Sequence, residues 1–83
     1  LEVTAKVYPN PVKNELTIHL NNGADVDEIT LYSLSGKIIF QEKKAVSNNR
    51  ISTNVTILAS GIYLYAAKTK GSIVAHGKFI VAK

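Results

Sequence analysis

Glu15-Leu16-Thr17-Ile18-His19-Leu20 decides what kind of fold this chain builds. Leu16, Ile18 and Leu20 alternate with Thr17 and His19, the spacing at which one face of a β-strand is apolar and the other polar. A helix would need apolar residues three and four apart, and no window sustains that period between caps. The alternation recurs outward along the chain. Ile29 and Leu31 alternate with Glu28 and Thr30, and Phe79 and Val81 alternate with Lys78 and Ala82. Ile38 and Phe40 follow suit less cleanly against Lys37, Ile39 and Gln41. Strands that bury one face each belong in antiparallel sheets.

Turn signals separate these runs. They are Pro9-Asn10-Pro11, Asn21-Asn22-Gly23, Ser35-Gly36, Ser47-Asn48-Asn49, Ser60-Gly61 and Lys70-Gly71. Punctuation at intervals of about 8–12 residues is the mark of a β-sandwich or barrel. Seven strands are expected, at 3–8, 15–20, 27–34, 37–44, 50–57, 62–69 and 72–82. Leu34-Ser35-Gly36-Lys37 and Thr69-Lys70-Gly71-Ser72 read as hairpins with two-residue turns, each glycine supplying positive φ. Ile62-Tyr63-Leu64-Tyr65-Ala66-Ala67 is apolar on both faces, which suits a central strand or an exposed stripe for a partner.

Composition narrows the function classes. Eighty-three residues make one domain, 1–83, with residues 1–6 either a linker remnant or a first edge strand. A chain this short buries about 60–65% of its unfolded surface. It has no cysteine, so its 46% apolar residues must hold it together without a disulfide framework. The net charge of +4 comes from scattered basic residues, with Lys43-Lys44 the one adjacent pair. That spread suits a solvated surface and no nucleic-acid groove. The chain starts at Leu1 rather than Met and reads as a piece of a longer protein.

No reacting constellation stands out. His19 and His76 occupy polar positions of separate strands, with no carboxylate or third ligand at metal-site spacing. Asp25, Asp27 and Glu28 do not fit a calcium loop, and Asn54-Val55-Thr56 matches only the short glycosylation pattern. Serines sit at turns without an elbow motif, and the glycines are isolated. The expectation is a non-enzymatic module that takes no cofactor, metal or small-molecule substrate.

Two segments carry local structural meaning. In Pro9-Asn10-Pro11 each proline fixes its own φ and drives Tyr8 and Asn10 toward extended backbone. Pro11 fits the second position of a type I turn that ends one strand and launches the next near Glu15. Leu58-Ala59-Ser60-Gly61-Ile62-Tyr63 reads as a tyrosine corner, in which a tyrosine early in a strand bonds its hydroxyl to backbone a few residues upstream. Together these give the fold expected here: an all-β, seven-stranded antiparallel Greek-key sandwich of immunoglobulin-like or fibronectin-like type.

Four motifs in order then resemble a known family, the C-terminal sorting domains of type IX secretion (the Por secretion system) of Bacteroidota. Val7-Tyr8-Pro9-Asn10-Pro11 followed by Leu16-Thr17-Ile18 is similar to the family's opening Y-P-N-P and next strand. Ile29 to Ile38 is similar to its central segment, with Gly36 followed by the basic Lys37. Gly61-Ile62-Tyr63 resembles the G-x-Y element, and Lys78-Phe79-Ile80-Val81-Ala82-Lys83 the closing basic and apolar strand. The resemblance spans residues 7–83, with Ser33 standing where many members carry an acid.

The resemblance implies an export signal, with no catalytic residues, attached to an upstream cargo. The implied partners are the outer-membrane translocon and a surface sortase that removes the domain. The implied route runs through the periplasm to the outer membrane, cell surface or medium. Expected recognition residues are Pro9, Asn10, Pro11, Gly36, Gly61, Tyr63, Lys78, Val81 and Lys83. Lys78 and Lys83 are expected to stay solvated on an open terminal edge while Phe79 and Val81 hold that strand down, and the domain to be a monomer or an edge-strand dimer. The alternative is a fibronectin-like or carbohydrate-binding accessory module of a surface enzyme.

Overall fold

A computed structural model describes residues 4–22 and 25–83. Among them are seven strands and no helix: β1 Ala5–Tyr8, β2 Glu15–Leu20, β3 Glu28–Ser33, β4 Ile38–Lys43, β5 Arg50–Asn54, β6 Gly61–Thr69 and β7 Ser72–Val81. Each lies within a residue of, or inside, a strand read from the alternation. Leu1, Glu2 and the expected first strand residue Val3 lie outside the described residues, as does Gly23 of the Asn21-Asn22-Gly23 turn.

The strands form two antiparallel sheets, β1-β2-β5 and β4-β3-β6-β7. Neighbours β2 and β5 are separated in sequence by two strands of the other sheet, and between neighbours β3 and β6 the chain passes through β4 of their own sheet and β5 of the other, so it crosses between layers. Constant-type immunoglobulin domains set the fourth strand beside the fifth; here β4 pairs with β3. The core lies between the layers, with Leu16, Ile18 and Leu20 of β2 and Ile51 of β5 facing Ile29, Leu31, Tyr65, Phe79 and Val81 of the second sheet. Phe79 organises the aromatic part: its ring stacks on Tyr63 at 5.7 Å and tilts against Tyr65 at 6.5 Å. Such ring pairs each contribute about 0.5–1.5 kcal/mol beyond area burial.

Polar groups seal the side where β4 and β5 face each other across the layers. The Thr53 hydroxyl, on a residue almost fully buried, donates to Glu42 Oε1 at 3.1 Å. Lys44 Nζ donates to the Ser52 carbonyl at 2.5 Å.

Three turns refine the expectations. Lys70 and Gly71 both take positive φ, 51° and 84°, and join β6 to β7 through the expected two-residue turn. The β3–β4 link is longer than expected. Gly36 N–H donates to the Ser33 carbonyl and Ser33 N–H to the Lys37 carbonyl, giving a three-residue loop closed by Gly36 at φ 93°. That is the type I turn with a glycine bulge, which adds one residue to a two-residue hairpin. Asn48 and Asn49, at φ 55° and 60°, form a tight reversal between Ser47 and Arg50 that leads into β5; asparagine tolerates this left-handed region. β5 itself stops three residues short of the expected 57, because the Asn54 side chain accepts the Thr56 N–H at 2.8 Å and turns the chain.

The largest departure concerns Pro9-Asn10-Pro11. The Tyr8–Pro9 and Asn10–Pro11 peptide bonds are both cis, and residues 9–11 bend without the hydrogen-bonded type I turn expected. The chain leaves the first sheet at Tyr8 and reaches the far edge of the second at Val12. There it makes a parallel bridge to Val81, with Val12 N–H donating to the Ile80 carbonyl at 2.8 Å and Ala82 N–H to the Val12 carbonyl at 3.0 Å. Val12 is fully buried. The chain then returns to the first sheet as β2, so this segment straps the two layers together.

Candidate functional site

The two outer faces of the sandwich differ in chemistry. Cross-strand partners share a face, so the outer face of β1-β2-β5 carries Lys6, His19 and Arg50 in one row and Tyr8, Thr17 and Ser52 in the next. The Thr17 and Ser52 hydroxyls lie 3.0 Å apart. This face is polar and ordinary.

The outer face of β4-β3-β6-β7 is different. Ile62 opposes Ile80, Leu64 opposes Tyr32 and Lys78, and Ala66 opposes Thr30 and His76. Ile62 is 46% exposed, Ile80 44% and Ile73 54%, so large apolar side chains stand in water here. β6 is thus both things its sequence allowed: a central strand, and one whose outward stripe is partly open. At one end of the face Lys68 and Glu28 pair at 3.8 Å, and the Glu28 carboxylate also accepts from Thr30 and Gln41.

Two shallow depressions indent this face, and Lys78 lines both. One, of about 340 Å³, is bounded by Tyr32, Leu64, Ala66, Ile73 and His76. The other, of about 290 Å³, is bounded by Asn10, Ile62, Phe79 and Ile80. This second depression brings together residues far apart in sequence. Asn10 comes from the Pro-Asn-Pro strap, Ile62 from Gly61-Ile62-Tyr63, and Lys78 with Phe79 and Ile80 from the terminal strand. Three of the four motifs singled out in the sequence therefore meet at one spot.

The remaining expected residues support this region or lie away from it. Tyr63 is half-buried and its hydroxyl donates to the Ala59 carbonyl at 2.6 Å, the corner bond read from the sequence, with Leu58 anchored in the core. Val81 is buried beneath the strap. Gly36 is in the β3–β4 loop and lines neither depression.

Lys83 departs from expectation: its Nζ donates to the Thr56 carbonyl at 2.6 Å and its backbone N–H to the Ser60 hydroxyl at 3.0 Å. The tail is fastened to the β5–β6 loop, because Thr56 leaves the strand at the Asn54 turn with its carbonyl unpaired by a neighbour strand. Nor is the terminal edge fully open, since Val12 occupies the backbone groups of Ile80 and Ala82. Strand β7 ends at Val81, two residues before the chain does.

Gly77 was not singled out in the sequence, although a glycine inside a strand signals close approach of another group. It pairs with Tyr65, whose ring lies across it: a Cβ there would sit 2.8 Å from the Tyr65 hydroxyl and 2.9 Å from a ring carbon. Burial pushes the Tyr65 phenol pKa above its ordinary value. Among the described residues no group of three His, Asp or Glu is placed to hold a metal ion.

Comparison with known proteins adds a family. Residues 6–82 match the family described as secretion system C-terminal sorting domain. No curated protein and no solved structure matches the chain.

Proposed function

The chain belongs to the secretion system C-terminal sorting domain family, the signals of type IX secretion, and from that membership we propose that it acts as a folded address read on the outer face of its four-stranded sheet. The observation that carries this is the meeting of Asn10, Ile62 and Lys78 around one depression. An address scattered over three motifs has a single surface only when the sandwich is folded. The Val12–Val81 bridge, the tyrosine corner and the tied tail hold that surface in place and do not touch a ligand themselves. The outer-membrane translocon is the reader in this proposal. A surface sortase then cuts near or before the first residues of this chain, ahead of Pro9-Asn10-Pro11.

The test is a fusion of residues 1–83 behind a periplasmic reporter in a host competent for type IX secretion. The intact fusion is expected in the medium or on the cell surface. Phe79→Asp places a charge in the core and unfolds the domain, and it should leave the reporter in the periplasm. A reporter that stays inside with the intact domain overturns the sorting role. Equal export by the unfolded variant overturns the folded address and leaves a linear one.

A further inference from the structure

Lys78 differs from Lys68, a neighbouring cation on the same face. Lys68 is paired with Glu28, whereas no acid pairs with Lys78 among the described residues, and its side chain is exposed. It is also the residue common to both depressions, so a cation stands between two apolar hollows. An enclosed apolar cavity of about 150 Å³ holds a benzene-sized group, and these hollows measure about 340 and 290 Å³. Each has room for a large apolar side chain.

Resting on the sorting role above, we propose that Lys78 and its two hollows form a saddle for an extended segment of the reader protein. That segment carries a carboxylate between two large apolar side chains. The carboxylate meets the Lys78 ammonium, one apolar group enters beside Leu64 and Ile73, and the other beside Ile62 and Ile80. Charge and shape complementarity select this partner. The domain carries +4, so an acidic segment is attracted and a basic one repelled. One exposed lysine flanked by isoleucines is a poor match for a nucleic-acid backbone, whose binding needs several phosphates neutralised together. Apolar contact then supplies the affinity that an exposed ion pair, worth about 0–1 kcal/mol, does not.

The reporter fusion distinguishes this saddle from the sorting role itself. Lys78→Glu is expected to lower export at least about tenfold, the scale of one lost charge-assisted contact with repulsion added, while Lys78→Arg keeps it. Ile62→Ser with Ile80→Ser should lower export similarly. Lys6→Glu, an exposed change of equal charge on the opposite sheet, should leave it unaltered. Thermal unfolding of each purified variant must match the parent, so that export reports the surface and not the fold. If the parent is exported and Lys78→Glu is exported equally, the saddle is wrong and the sorting role stands. If the parent is not exported, both fall. If Lys78→Glu loses export and also turns a sedimenting dimer into a monomer, the occupant is a second copy of this chain and the reader segment is overturned.

Discussion

Tyr63 shows how one side chain can join two levels of the structure. Its ring stacks on Phe79 while its hydroxyl reaches back to Ala59, so Tyr63→Phe keeps the packing and removes only the corner bond. The expected loss is about 1 kcal/mol, read as a lowered melting temperature with unchanged far-ultraviolet dichroism. Gly77→Ala tests the opposite effect. Its added methyl meets the Tyr65 ring under 3.0 Å, and the ring is packed against Phe79 and cannot simply swing away. Overpacking of this kind costs about 1–3 kcal/mol, and denaturant unfolding should show that loss shrink in a Tyr65→Leu background. Tyr65 also gives the fold a pH dependence. Burial holds its folded pKa above the ordinary phenol value of 10.0, so its contribution is complete below that value and is lost as pH rises through the folded pKa. The parent should therefore lose stability faster than Tyr65→Phe between neutral pH and pH above 10, measured by thermal unfolding of both across that range.

At the scale of elements, the strap is the part with the most influence for its size. Val12 makes two backbone bonds to the end of β7 and is fully buried. Val12→Ala should cost about 2 kcal/mol through lost apolar burial and the cavity left behind. Hydrogen exchange locates the effect: the Ala82 amide should exchange much faster while the β2 amides change only with global stability. The strap is also where sequence reading fell short. Strands are legible because alternation is local, as Leu16, Ile18 and Leu20 demonstrate. A single parallel bridge between residues 12 and 81 leaves no periodic trace. Two prolines announce that the chain bends but not where it arrives. The β3–β4 loop shows the same limit, since Ser35-Gly36 declares a turn while loop length depends on where the Ser33 and Lys37 backbones meet.

The whole molecule is one core wrapped by two layers, with no cysteine to bridge them. Phe79 touches aromatic partners within its own sheet and belongs to the same buried cluster as β2 and β5. The layers should therefore unfold in one transition, with far-ultraviolet dichroism and tyrosine fluorescence giving coincident melting curves. At this scale the sandwich was readable from strand number and spacing, and the tyrosine corner from its local motif. The proposed recognition surface was readable only in pieces. Asn10, Gly61-Ile62-Tyr63 and Lys78 each carried a signal, but their convergence depends on β6 and β7 pairing and on the strap ending at β7. The fastening of Lys83 was hidden because it depends on where Asn54 halts β5. That parallel bridge has a mechanical consequence. Val12 and Val81 run in the same direction, so tension between the two ends of the chain loads both bonds in shear, together, rather than peeling them one at a time. A domain built this way resists being drawn apart between residues 12 and 81.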